Sequence, residues 1–189
     1  VQPALTPAPG QRIIVPRRLF PKNGVEYFVR AFPAILEGCP GVSAVLVGDG
    51  PERDRLEALA GELGVSDKLT FLGARPNTEM PALLSSADLA IFPSLMEATS
   101  VAALECMACE VPVAASRVGG LPQIVDDQVG GLFEPANPND LARVVTGLLA
   151  DPNLVERGRR GRRRVVEQWS NQRLARRHLE IYEGLLGTQ

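Results

Sequence analysis

Residues 89–116 read LAIFPSLMEATSVAALECMACEVPVAAS. The two ends, LAIFPS (89–94) and VPVAAS (111–116), are apolar without polar alternation. That is the pattern of strands buried on both faces of a parallel sheet. Between them, small apolar residues recur at helical spacing up to about Cys109. Either Thr99 or Ser100 can cap the start of that helix. Two strands joined by a helix are read as parallel neighbours with a right-handed crossover.

The same alternation extends in both directions. RIIV (12–15), SAVLVG (43–48), LTFLG (69–73) and GGLF (130–133) complete a set of six strands. Helical spacing marks 25–36, where Pro33 sits late, and 78–87. PERDRLEALAGELG (51–64) has Pro in its first turn, early acids and Gly64 at its end, which are helix start and stop signals. Three further helices are expected at about 138–150, 152–168 and 171–186. The fold class is α/β, a doubly wound, mainly parallel six-stranded sheet.

The chain has 189 residues, enough for one domain with a substantial core. The opening VQPALTPAPG carries Pro3, Pro7 and Pro9 and reads as a linker, so residues 1–10 are expected to be the remnant of a connection within a longer protein. Residues 11–168 are then the α/β domain, and 169–189 a terminal helix roughly 30 Å long that can reach another domain. The net charge of −2 gives no global drive toward nucleic acid or an anionic surface. Cys39, Cys106 and Cys109 are too few and too odd for a disulfide framework, which suggests reduced thiols and a cytoplasmic protein. Cys106 and Cys109 form a C-x-x-C at helical spacing beside Met107 and read as core thiols, with no metal expected. The six arginines of 156–169 read as a solvated helix face, with peripheral contact to the inner face of an anionic membrane as the functional alternative. His178, the one histidine, lies on a solvated or packing face of the last helix, and Trp169 and Tyr182 are expected as packing anchors.

Ligands of open α/β sheets bind outside the carboxyl ends of the strands. Here those ends are PRRLFPKNG (16–24), VGDGPE (47–52), FLGARPN (71–77), FPSLMEATS (92–100) and AASRVGG (114–120). Arg17, Arg18 and Lys22 can neutralise a diphosphate, or can be three solvated charges. Gly48 and Gly50 allow a backbone to pass close to a ligand, or serve a tight turn into the next helix. A nicotinamide site would need G-x-G-x-x-G directly after the first strand, where arginines stand instead, so a dehydrogenase is excluded. A helix starting at Thr99 or Ser100 offers N–H groups and a positive dipole end to a phosphate. Glu97 precedes that start, and Glu105 lies about 9 Å along the axis. Two carboxylates there suit hydroxylated rings on either side of a diphosphate.

Together, RRLFPKNGVEYFVRA (17–31), VLVGDGPERDRLEALAGELGVSDKLTFLG (45–73), ADLAIFPSLMEATSVAALECMACEVPVAASRVGGLPQIV (87–125) and GGLFEPANPNDLA (130–142) resemble the donor-binding half of GT-B fold retaining glycosyltransferases of the large group 1 family. Glu97 and Glu105 match the family's E-x7-E element. The resemblance implies a nucleotide diphosphate sugar as donor, UDP or GDP ahead of ADP, and an acceptor held by an N-terminal domain. It implies that Glu97 binds the donor sugar, that amides around Thr99, Ser100 and Val101 meet sugar and diphosphate, and that Glu105 holds the ribose. Arg17 or Arg18, with Lys22, would stabilise the departing phosphate, and Leu72 and Arg75 would meet the base. Alternatives are a non-catalytic nucleotide-sugar-binding module and an epimerase of related fold. Three departures stand out. Lys22 is followed by Asn23 before Gly24, which leaves open which arginine matches the family's. The common EGFG is EATS, with Ala98 and Ser100 in place of glycines. Glu110 replaces a helix-end glycine.

Overall fold

A computed structural model describes residues 10–186. The strands are β1 (Arg12–Val15), β2 (Ser43–Val47), β3 (Leu69–Gly73), β4 (Leu89–Phe92), β5 (Val113–Ser116) and β6 (Gly130–Phe133). They form one sheet in the order β3-β2-β1-β4-β5-β6, and every pairing is parallel rather than mainly so. The helices are α1 (Val25–Gly38), α2 (Arg53–Glu62), α3 (Met80–Ser85), α4 (Val101–Ala108), α5 (Leu121–Ile124), α6 (Pro138–Leu149), α7 (Leu154–Gln168) and α8 (Asn171–Leu186).

Side-chain alternation on fully buried strands divides the interior into two layers. Ile13, Val15, Leu89 and Ile91 face one core, shared with Phe28 and Phe32 of α1, Leu56 of α2 and Val145 of α6. Ile14, Ala90 and Phe92 face the other, with Met107 of α4, Ile124 of α5 and Leu84 of α3. This is why the strands show no polar alternation in the sequence.

Proline sets several boundaries differently from the sequence reading. β4 stops at Phe92 and not at Ser94, because Pro93 has no N–H to give to a ladder. β5 starts at Val113, after Pro112. α2 starts at Arg53, beyond Pro51 and Glu52 in a turn. Pro33 does not end α1, which runs on to Gly38. The short α5 had no counterpart in the sequence reading. Glu110 adopts φ 62°, the left-handed conformation for which glycine is the usual residue at a helix end.

α7 lies on α4 through its glycines. A Cβ on Gly158 would fall 1.9 Å from the Glu110 carbonyl oxygen, and one on Gly161 would touch Met107. All six arginines of the run (157, 159, 160, 162, 163 and 164) have a carboxylate within 3.8 Å. Arg162 also donates to the Ala108 carbonyl. α8 differs: every residue in it is exposed, and it follows α7 across Trp169 and Ser170. Trp169 is 36% and Tyr182 57% exposed, so neither anchors packing within the described residues. His178 is exposed, with Nδ1 2.8 Å from the Leu174 carbonyl. The linker expected at 1–10 lies outside the described residues apart from Gly10, as do 187–189 of the terminal segment. Among the described residues no helix is long and apolar enough to cross a membrane.

Candidate functional site

β1 and β4 are neighbours, yet the chain leaves β1 toward β2 on one side and β4 toward β5 on the other. Such a reversal opens a crevice at the carboxyl ends of the two strands. The loops that leave these strands are bound to each other by backbone. Leu95 N–H donates to the Lys22 carbonyl at 2.9 Å. Gly24 has φ 63°, and a Cβ there would lie 2.0 Å from the Pro93 carbonyl oxygen. Only a residue without a side chain permits both.

Each loop is also propped from its far side. Gly48 and Gly50 sit against the β1 loop, where a Cβ would meet the Arg17 and Leu19 carbonyl oxygens at 2.2 and 2.3 Å. Leu19 N–H donates to the Asp49 carbonyl at 2.9 Å. Their observed neighbours are therefore protein backbone. Gly119 and Gly120, after β5, support Glu97 and Ala98 in the same way. A Cβ would fall 1.6 Å from the Glu97 oxygen in one case and 2.2 Å from the Ala98 oxygen in the other. The buried Ser116 hydroxyl donates to the Ser94 carbonyl at 2.5 Å.

This scaffold brings Arg17 and Glu97 together. The Arg17 guanidinium lies 2.6 Å from Glu97 Oε2, with the two side chains 11% and 15% exposed. The approach is off-axis for a hydrogen bond, and both Arg17 Nε and Glu97 Oε2 are buried without one. The contact is thus a close charge pair. Arg17 also donates to Asn23 Oδ1 at 2.8 Å and lies 5.6 Å from the Phe92 ring centroid. Asn23, itself 4% exposed, donates to the Arg18 carbonyl at 2.6 Å. Arg18 turns outward and stacks over Phe20 at 5.6 Å. Lys22 is exposed and has no carboxylate within ion-pair distance among the described residues. Arg17, Arg18, Lys22, Asn23, Glu97 and Ala98 line one cleft of about 470 Å³.

α4 begins beside this cleft, and Ala102 of its first turn is part of the lining. The cap is Ser100, not Thr99: Ser100 is in extended conformation and its Oγ accepts from Ala103 N–H at 3.3 Å. N–H groups ahead of Ala103 have no acceptor within the helix. Val101 and Glu105, four residues apart, share the exposed face of α4, and Glu105 does not line the cleft. Leu72 packs against the core layer containing Phe92. Arg75, in the β3 loop two strands from the cleft, has its Nε buried without a partner. Cys106 is fully buried, which pushes its thiol pKa well up and keeps it neutral, while Cys109 is partly covered. Asn23 entered the sequence reading only as a departure from the family pattern, with no role given to it, and Ser116 and the glycine pair 119–120 were given none either. The one available signal was the VGG at the β5 end.

Residues 4–165 match the family described as glycosyl transferases group 1. The chain belongs to that family. This group 1 glycosyl transferase chain is 36% identical over 168 residues to an uncharacterized glycosyltransferase of Methanocaldococcus jannaschii, covering 88% of the chain and 43% of that relative. It thus spans less than half of that protein's length. Among solved structures, sucrose-phosphate synthase from Thermosynechococcus elongatus superposes with TM-score 0.85 at 31% identity, over 97% of this chain and 47% of that one. The Anabaena protein HepE, solved in complex with UDP and glucose, gives TM-score 0.81 at 26% identity, over 91% and 49%. The group 1 family membership and the all-parallel sheet agree with the resemblance read from the sequence blocks.

Proposed function

We propose that the cleft between the β1 and β4 loops holds a nucleotide diphosphate sugar, and that this chain is the donor-binding half of a retaining glycosyltransferase. The observation that carries the reading is the meeting of the two loops at the β1/β4 crevice, where a cationic loop faces a glutamate and a helix start. The complex of HepE with UDP and glucose lends support by similarity of fold and sequence.

In the reaction, the bond between the anomeric carbon and the β-phosphate oxygen breaks, and the nucleoside diphosphate leaves with the electron pair. The acceptor oxygen forms the new bond from the same face and passes its proton to the departing β-phosphate oxygen. Charge accumulates on the departing diphosphate, so cations and fixed N–H dipoles in the crevice lower the barrier. Lys22, with Arg18 or Arg17, and the first turn of α4 at Thr99, Ser100 and Val101 take that task. Glu97, beside Ala98, binds sugar hydroxyls, and Glu105 binds the ribose further along α4. Gly48 and Gly50 act by holding the β1 loop in place. Leu72 and Arg75 flank the base, which is uracil or guanine ahead of adenine.

The acceptor belongs to an N-terminal domain, against which the exposed face of α8, including Leu174, Leu179 and Tyr182, would dock. This chain alone then binds nucleotide and transfers little sugar. Peripheral contact with an anionic membrane through α7 is the weaker part of the reading, because its arginines are already matched by carboxylates. Titration calorimetry of the folded chain with UDP, GDP and ADP tests the proposal, and binding of none of the three sinks it. Glu105→Ala should weaken nucleoside diphosphate binding more than Glu97→Ala, since the partner of Glu97 is absent from that ligand.

A further inference from the structure

The β1 loop carries three cations, and the structure separates them. Arg17 is turned inward, closed between Glu97 at 2.6 Å, Asn23 Oδ1 at 2.8 Å and the Phe92 ring. Arg18, one residue on, points out, and Lys22 is exposed on the same cleft. We infer that Arg17 is a positioning residue: with Asn23 behind it, it orients the Glu97 carboxylate toward the donor sugar, while Arg18 and Lys22 meet the diphosphate. This rests on the donor-site reading above and divides its cations into two roles.

Three observations lead there. A guanidinium already against a carboxylate has much of its charge neutralised, so it is a poorer phosphate ligand than an exposed cation nearby. Arg17 cannot swing outward without stranding Glu97, 15% exposed, which has no other cation within ion-pair distance among the described residues. Asn23 is nearly fully buried and uses both ends of its amide on this loop, accepting from Arg17 and donating to the Arg18 carbonyl. One side chain therefore fixes the inward direction of Arg17 and the backbone that sends Arg18 outward. An asparagine at this place is explained by that double use, since a lysine could donate to the carbonyl but could not accept from Arg17.

The test compares paired ligands on this chain: UDP with UDP-glucose, and GDP with GDP-mannose. Arg17→Gln should weaken the nucleotide sugar about tenfold or more while changing the nucleoside diphosphate little, the signature also expected of Glu97→Ala, whereas Asn23→Ala, which also releases the Arg18 carbonyl, should weaken both members of a pair. Arg17→Gln combined with Glu97→Ala should lose no more than either alone. Arg18→Ala and Lys22→Ala should weaken both members of a pair equally. Equal weakening of both ligands by Arg17→Gln overturns the inference and leaves the donor site standing. Failure of the unaltered chain to bind any of the four ligands overturns the donor site itself. If Arg17→Gln does not fold, Arg17→Met decides: loss confined to the nucleotide sugar supports the inference, and equal loss on both ligands overturns it.

Discussion

The loops after β1 and β4 contain one turn of 3-10 helix, Pro21–Asn23, and otherwise no regular structure, whereas α8 is helical over Asn171–Leu186. The loops are nevertheless the more tightly fixed of the two. Gly24, Gly119 and Gly120 each bring one backbone against another, and Ser116 ties Ser94 from below. α8 satisfies its own backbone but buries none of its residues. Regular hydrogen bonding holds a segment's local shape, and burial against neighbours holds its place. A site that must keep charges a few ångströms apart is therefore better built on such loops than on an undocked helix.

That contrast is most sharply tested at Gly119. Its φ is 51° and a Cβ would fall 1.6 Å from the Glu97 carbonyl oxygen, so Gly119→Ala must displace the Glu97 backbone. A loss of about 3 kcal/mol or more in urea unfolding is expected, with nucleotide binding lost as well. Next comes Ser116→Ala, which leaves the buried Ser94 carbonyl without its hydroxyl donor. The same measurement should show about 1–3 kcal/mol.

A third, smaller effect concerns acid. The backbone N–H of Glu134, then the Arg143 guanidinium, hold the Asp140 carboxyl below its ordinary value of 3.8. A lowered folded pKa adds stability that is present above the unfolded pKa and disappears as pH falls through the folded one. Stability should thus drop as pH falls below about 4. Asp140→Asn should flatten that limb in unfolding curves taken between pH 6 and pH 2, within about the range where carboxylates titrate. The smallest effect belongs to α8. Leu179→Ser and Tyr182→Ser should change this chain's stability by no more than about 0.5 kcal/mol, because neither side chain leaves a buried environment. A larger loss would mean that α8 is docked, and would erase the contrast.

Much of the fold was legible because periodicity is a local property. Unbroken apolar runs such as LAIF and VAAS reported burial on both faces, and burial on both faces implies a parallel sheet. Glu97, Lys22 and the arginines stood out because charged groups at strand ends have few structural reasons to be there. Asn23 stood out only as a departure and Ser116 not at all, since their importance lies in which carbonyl or guanidinium they reach, and those partners are 5 to 22 residues away. Trp169 and Tyr182 show the opposite limit: large aromatics suggest packing, but a sequence does not say against what, and within the described chain they are 36% and 57% exposed.

By itself, then, the sequence determined the strand and helix succession apart from α5, the doubly wound sheet and the group 1 resemblance, all of which follow from residue type and spacing along the chain. Tertiary structure alone decided that Arg17 pairs with Glu97 while Arg18 faces outward, that Ser100 is the cap, and that Gly48 and Gly50 meet backbone. Adjacent residues of like charge are equivalent in a sequence. Only a buried partner, placed by the folding of distant strands, makes one of them different from the other.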